Sequence, residues 1–220
     1  MMKGFVIGQT HLGLDIPGFE WSFAPKYRSV LILGGVHGDE VEGVVAGNAL
    51  ATYMRAQFNL RLNLFIIPQF NVDGVLARTR GNSRGVDLNR NLPTSDWSPN
   101  VATPRYHPGS SSCSENENKA LVSFIDEKKL DFIYSLHSWK PMLNVNGDAR
   151  GVAEVIAAKT GYIIDEDIGY PTPGSLGSYG LQKKLPVLTY EIERGLDFQK
   201  IIDVHVPAIC DSLKVLEVPL

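Results

Sequence analysis

Within LILGGVHGDEVEG (31–43) the chain leaves an apolar run, breaks at two glycines and then gathers His37, Asp39, Glu40 and Glu42 within six residues. His37 and Glu40 stand three apart, a spacing that brings both to one face once the chain turns into a helix. A second histidine, His137, directly follows the apolar stretch FIYSL. Two imidazoles and one carboxylate are the protein ligands of hydrolytic zinc sites, with a fourth position left for water. Glu191 and Glu193 close another apolar run, LPVLTYEIE (185–193), and alternation puts them on one side of a strand. A carboxylate beside a zinc-bound water is the usual general base for amide hydrolysis. Each feature alone also has an ordinary reading. A His-x-x-Glu pair arises by chance, a lone histidine is commonly a hydrogen-bonded strand end, and Glu191 has Arg78, Arg80, Arg84 and Arg90 as available ion-pair partners. Glu193, followed by an arginine, reads more like a rim ion pair than a base.

The stretch NVDGVLARTRGNSRGVDLNRN (71–91) is dense in arginine and asparagine, with glycines that permit tight turns. As a surface loop it would only solvate its charges. As a substrate anchor it would supply guanidinium forks for a carboxylate, and an arginine near the metal would stabilise a developing oxyanion.

Such groups need a scaffold that gathers them. Four runs read as buried strands, RSVLILGG (28–35), LRLNLFIIPQF (60–70), LDFIYSLHSW (130–139) and LPVLTYEIE (185–193), because their apolar cores are continuous rather than alternating. Helical patterns lie between them. Residues 40–57 place Val44, Val45, Ala49 and Tyr53 on one stripe, and Ser114 with Glu117 predicts a capping box opening a helix over 114–129. A third helix covers about 149–160 and stops at Gly161, and a fourth spans Phe198 to Leu216, kinked or divided by Pro207. Strands alternating with helices predict a single α/β domain over 1–220, with a central, mixed but mostly parallel, twisted sheet flanked by helices. From Asn71 to Ser112 little periodicity is visible, and a stretch of that length in a compact domain is usually functional. Ligands of open α/β sheets bind outside the carboxyl ends of the strands, where His37, His137 and Glu191 fall.

Composition narrows the function class. A length of 220 residues suits one core. A formal net charge of -3 supplies no broad basic field for nucleic acid or an anionic membrane. No apolar run is long enough to span a bilayer, and the first residues carry too short an apolar stretch for a signal peptide. Cys113 and Cys210 read as two free thiols of a reducing compartment, so the expected location is cytoplasmic.

In order and spacing, HGDE, NVDG…TRGNSRGVDLNRN, LHS and LTYE resemble the zinc carboxypeptidase family over about residues 30–195. YPTPGSLGSYG (170–180), placed just before LPVLTYE, resembles its murein peptide amidase A branch, which cuts the γ-D-glutamyl–meso-diaminopimelate bond of murein peptides in cell-wall recycling. The resemblance implies one zinc ion per chain held by His37, Glu40 and His137. It implies Glu191, rather than Glu193, as general base, Arg80 as the oxyanion arginine, and Asn89 with Arg90 as the grip on the substrate carboxylate. Arg78 and Arg84 are the alternatives to Arg80. Gly174, Ser175, Leu176 and Gly177 would leave room for a larger or zwitterionic substrate end, with Ser175 in contact with it and Asp165, Glu166 and Asp167 available to a distal ammonium. Asp39 has two readings, orienting a ligand or favouring a helix N-terminus, and Glu42 none. The implied partner is a murein tripeptide or related small peptide, and no oligomeric state is implied. The rivals are a carboxypeptidase acting on ordinary C-terminal peptides, a deacylase resembling aspartoacylase or succinylglutamate desuccinylase, and a silent murein-peptide-binding protein.

Overall fold

The four continuous apolar runs become the centre of one sheet in the structure, a computed structural model that describes residues 2–101 and 103–217. In chain order the strands are β1 (Lys3–Gln9), β2 (Asp15–Trp21), β3 (Ser29–Gly34), β4 (Asn63–Ile67), β5 (Phe132–Trp139), β6 (Met142–Asn146), β7 (Ile163–Asp165) and β8 (Val187–Glu193). Their order across the sheet is β1-β2-β4-β3-β5-β8-β6-β7. β4, β3, β5 and β8 are mutually parallel, as are β6 and β7, whereas β1–β2, β2–β4 and β8–β6 pair antiparallel. The fold class is as expected, with the parallel pairing concentrated at the centre. The β1–β2 hairpin, β6 and β7 were not legible as strands. They are short or exposed, and β2 carries Pro17 and Gly18, which read as turn residues.

Alternation along the buried strands splits the interior into two cores. Val30, Ile32, Leu64, Ile66, Phe132, Tyr134, Leu188 and Tyr190 face one side, and Leu31, Leu33, Phe65, Ile67, Ile133 and Val187 the other. Covering both faces removes each apolar side chain from water, at about 25 cal/mol per Å² buried. The helices are α1 (Val41–Gln57), α2 (Val72–Ala77), α3 (Asn116–Lys128), α4 (Arg150–Thr160), α5 (Leu176–Lys183), α6 (Phe198–Lys200) and α7 (Val206–Leu213). The first core packs under residues of α1, α4 and α7, the second under α3 and α5.

Two local expectations are corrected. α1 buries Gly43, Ala46, Gly47, Leu50, Ala51 and Met54 rather than the Val44–Tyr53 stripe, and Tyr53 is exposed. Small residues win that face because the helix lies tight on β5: a Cβ at Gly43 would sit 2.5 Å from the Leu136 carbonyl oxygen. The Ser114–Glu117 capping box does not form. Glu115 occupies the N-cap of α3 without a side-chain cap, Ser114 Oγ donates to Glu115 Oε1 at 2.6 Å, and Glu117 receives Asn82 Nδ2 at 3.3 Å. Buried loop asparagines have taken both partners. Pro207 does divide the last helix: a π-turn, Ile201–His205, precedes α7 and absorbs the hydrogen bond that proline cannot donate. The predicted stop at Gly161 is found, with φ +72°.

The long segment after β4 contains α2 and 3₁₀ turns at Leu88–Arg90 and Pro104–Tyr106. Buried polar side chains replace secondary structure in the rest. Asn71 caps α2 and donates to Val36 and Arg80 carbonyls, and Asn91 donates to Pro108 and Ser111 carbonyls. These bonds satisfy loop backbone that burial would otherwise leave unpaired. Cys113 and Cys210 are free thiols. No described helix is long and apolar enough to cross a membrane.

Candidate active site

β3 ends at Gly34, and the chain turns through Gly35 before α1 starts at Val41. His37 and Glu40 therefore face inward from the turn ahead of the helix rather than from its first turn, joined by a Glu40 N–H to His37 carbonyl bond of 3.3 Å. His137 lies near the carboxyl end of β5, paired in register with Glu191 of β8. The three sequence-predicted ligands converge. Glu40 Oε1 is 2.9 Å from His37 Nδ1, Glu40 Oε2 is 2.8 Å from His137 Nδ1, and the two Nδ1 atoms are 3.1 Å apart. All three residues are buried.

Both imidazoles use their far nitrogens elsewhere: His37 Nε2 lies 2.9 Å from Asp87 Oδ1 and His137 Nε2 lies 3.0 Å from Ser135 Oγ. With protons on Nε2 alone, the state a metal would require, two Nδ1 lone pairs and a carboxylate would point at one position between them. Ligands around a tetrahedral zinc lie about 3.3–3.6 Å from one another, so the trio would open by roughly half an ångström to take the ion. The residues fit the ion. Burial opposes the charge on Glu40, but the two imidazoles outweigh it and hold Glu40 well below the usual carboxylate range. Burial likewise opposes protonation of His37, yet Glu40 and Asp87 raise it to about 9, so a metal would displace a proton there.

Asp87 is the residue that sequence reasoning left without a role. Fully buried, it takes His37 Nε2 on Oδ1, Arg80 Nε on Oδ2 at 2.9 Å and the Asn89 N–H on Oδ1. Burial would raise its pKa, but the His37, Arg80 and Arg90 charges hold it far below the usual range. The signal was present in VDLNRN, seven residues after Arg80; its partner, fifty positions away, was not.

Of the three candidate arginines only Arg80 lines the cavity, with Nη1 3.1 Å from Glu40 Oε1. Arg78 caps α2 in the left-handed region, and Arg84 lies beside His11 and Glu115. Tyr106 places its ring 5.3 Å from the Arg80 guanidinium and 5.2 Å from that of Arg90, spacing the two cations by cation–π contact. Asn89 Oδ1 accepts the Leu176 N–H at 2.8 Å, which fixes the amide against the start of α5. Ser175 lines the cavity, but its Oγ is the N-cap of α5, accepting from Ser178 N–H at 3.1 Å. Asp96 steadies the same region by accepting from Gly174 N–H and Ser178 Oγ.

Glu191 also faces the cavity, and its Oε2 is buried with no hydrogen-bond partner. Burial pushes its pKa up and the nearby Glu40 charge adds to that. Glu193, two residues on, is exposed at the end of β8. Asp165, Glu166 and Asp167 do not line the cavity: Asp165 and Asp167 accept backbone N–H groups of their own turn, and Glu166 pairs with Arg150 at 3.0 Å. The distal wall instead carries Asn144, Asn146 and Thr189, with Ile168, Tyr170 and Thr172 on the loop above. Glu42 finds its role as a brace: buried, it accepts Ser138 Oγ and Gly195 N–H, both at 2.6 Å, tying the ends of β5 and β8 together. Asp39 pairs with Arg105 and Arg194 at the rim.

Gly81-Asn82-Ser83-Arg84-Gly85 has the spacing of a serine-nucleophile elbow, a motif overlooked at the level of sequence. Ser83 Oγ donates to Asp73 Oδ2 at 2.5 Å, no described histidine bonds it, and the turn follows α2 rather than a strand. It is a structural turn.

The profile of the zinc carboxypeptidase family matches residues 1–160. Murein peptide amidase A of Vibrio campbellii (strain ATCC BAA-1116) is 29% identical over 221 residues, which cover 92% of this chain and 87% of that protein. Murein peptide amidase A of Escherichia coli (strain K12) is 29% identical over 203 residues, 85% of this chain and 82% of that protein. Among solved structures, murein-tripeptide amidase of Escherichia coli O157 superposes with a TM-score of 0.80 at 24% identity, covering 96% of this chain and 91% of that one. Bovine thrombin-activatable fibrinolysis inhibitor superposes with a TM-score of 0.77 at 19% identity, covering 98% and 88%.

Proposed function

The chain belongs to the zinc carboxypeptidase family and is a zinc metallopeptidase, and we propose that it hydrolyses the γ-D-glutamyl–meso-diaminopimelate bond of murein peptides in cell-wall recycling or remodelling. The observation that carries this reading is the make-up of the cavity beyond the His37–Glu40–His137 trio. It holds Asn144, Asn146 and Thr189 rather than an apolar slot or a single counter-charge. Such a wall suits a side chain that ends in both an ammonium and a carboxylate. The two murein peptide amidases of similar length support the same substrate class.

His37, Glu40 and His137 would hold one zinc ion. Bound there, the ion would supply Lewis acidity, polarising the scissile carbonyl and making a water acidic near neutral pH. Glu191, whose carboxylate faces the cavity, takes the proton of the attacking water and returns it to the leaving amine. Its raised pKa matches a group that must both accept and release a proton. Arg80, with Nε on Asp87 and Nη1 on Glu40, presents a fixed positive charge to the oxyanion. Asn89 and Arg90 grip the carboxylate of the leaving half and so set which amide lies over the trio. Ser175 contributes by capping α5, which positions Asn89, and by walling the cavity.

The test is product analysis by mass spectrometry. Zinc-loaded protein incubated with L-Ala-γ-D-Glu-meso-diaminopimelate is expected to release free diaminopimelate, and the Glu191→Gln variant at least about a hundredfold less. No release from protein shown to hold zinc would overturn the murein assignment and direct the search to ordinary C-terminal peptides and N-acyl amino acids.

A further inference from the structure

Arg80 and Arg90 have roles in the reaction, but two further arginines line the same cavity, Arg105 and Arg194. Both converge on one carboxylate. Arg105 Nη2 is 3.5 Å and Arg194 Nη2 3.3 Å from Asp39 Oδ2, and Arg194 Nη2 donates to the Asp39 carbonyl at 2.6 Å. Two guanidiniums sharing one carboxylate keep one unbalanced positive charge and most of their N–H donors unspent. Their side chains are 49% and 40% exposed, so those donors are open to a ligand.

Strand register places this pair relative to the chemistry. Glu191 stands beside His137; Thr189 and Val187, two and four residues earlier on β8, stand opposite Asn144 and Asn146. At about 3.3 Å per residue, the amide wall lies roughly 7–13 Å behind the base. Gly177 backs directly onto the Asn146 amide, and the neighbouring Leu176 N–H holds Asn89, so the grip on the leaving half lies on that rear side. Arg194 is three residues ahead of Glu191 in the opposite direction. A substrate anchored by Asn89 and Arg90 with its amide over the trio must therefore send its acyl half toward Arg194 and Arg105.

We propose that Arg105 and Arg194, steadied by Asp39, form an anion subsite that reads a free carboxylate on the acyl half of the substrate, beside the scissile carbonyl. This deepens the murein-peptide reading and rests on it. In a γ-glutamyl amide the glutamyl α-carboxylate is free and only a few bonds from the carbonyl under attack. In an ordinary α-linked peptide with a non-acidic acyl residue no such carboxylate is present. The arginine pair thus selects an acyl half that carries a free carboxylate, as the γ-linked glutamyl residue does.

The experiment compares L-Ala-γ-D-Glu-meso-diaminopimelate with its analogue in which the glutamyl α-carboxylate is a carboxamide. Binding is read by titration calorimetry on zinc-loaded Glu191→Gln protein, which removes turnover. The acid is expected to bind roughly 10- to 100-fold more tightly than the amide. Adding Arg105→Gln and Arg194→Gln is expected to shrink that ratio to less than about threefold, while Arg105→Lys with Arg194→Lys retains part of it. A ratio near one before the arginines are changed, an equal loss on both peptides, or binding of neither peptide would overturn the subsite. Turnover by the unaltered enzyme reports separately. Acid preference without diaminopimelate release sinks the murein reading and leaves the subsite; release without acid preference sinks the subsite alone.

Discussion

Asp87 shows how much of the chemistry rests on a residue that touches no reacting atom. One carboxylate holds His37 by Nε2, Arg80 by Nε and the backbone of Asn89, so it orients together the residues proposed as a metal ligand, as the oxyanion arginine and as the start of the substrate grip. Hydrogen bonding to the far nitrogen of a ligand histidine sets its tautomer and basicity. Asp87→Asn keeps the shape but removes one of the two charges, beside that of Glu40, that raise the basicity of His37. Zinc affinity, measured by competition with a chelator, is expected to fall roughly 10- to 100-fold. An unchanged affinity would mean that Asp87 merely packs. Asp87 stood in plain view in the sequence, but a hydrogen bond spanning fifty positions has no local signature. Glu191 was the opposite case, marked with Glu193 by its place at the end of an apolar run and singled out by the resemblance of its LTYE setting.

At the level of elements, the proposed substrate grip depends on how α5 and the turn before it meet the Leu88–Arg90 turn. Gly174 has φ +72°, and a Cβ there would lie 2.2 Å from the Arg90 carbonyl oxygen. Asp96 binds the Gly174 N–H from the other side, so the turn cannot shift to make room without losing that bond. Gly174→Ala must therefore displace Arg90 or the turn itself. KM for the peptide is expected to rise roughly tenfold or more while zinc content is unchanged, because the trio sits on β5 and the turn before α1. A KM within about twofold of the parent would refute this coupling. The PTPG sequence carried a resemblance rather than a shape, and α5 behind it was not legible, being eight residues long with two glycines. Residues 71–112 were legible as functional and not as a shape, since their order comes from buried Asn71, Asn82 and Asn91 rather than from periodicity.

At the scale of the whole molecule, stability is linked to pH through a residue on the far side of β8 from the trio. His205, in the π-turn, is 2% exposed and bonded through Nδ1 to the Tyr190 hydroxyl at 2.5 Å. Burial, with a smaller contribution from Lys200, lowers its pKa to about 4. The unfolded chain titrates near 6.5, so between those values it binds a proton that the folded protein refuses. Stability from neutral His205 is complete above about pH 6.5 and is lost as pH falls toward 4, by roughly 3 kcal/mol in full. Melting temperatures at pH 7 and pH 4.5 are expected to fall further apart in the parent than in His205→Gln, which has no such proton to take up. Equal acid sensitivity in the two would discard His205 as the source. Comparing the pair cancels the acid loss of zinc, which both share.

The sequence by itself determined what periodicity and short spacing can encode. Four continuous apolar runs announced a sheet covered on both faces, and their ends marked His37, Glu40, His137 and Glu191 before any coordinate was known. These are local properties, because a buried strand must be apolar throughout and polar residues can gather where that run ends. Only the tertiary structure decided which distant groups meet. It chose Arg80 over Arg78 and Arg84, joined Asp87 to His37, spent Ser175 on capping α5, turned Glu42 into a brace, and set Arg105 and Arg194 across the base from Asn144 and Asn146. Those pairings depend on strand register and on which loop packs over which, quantities fixed by the burial of the whole chain rather than by any one stretch of it.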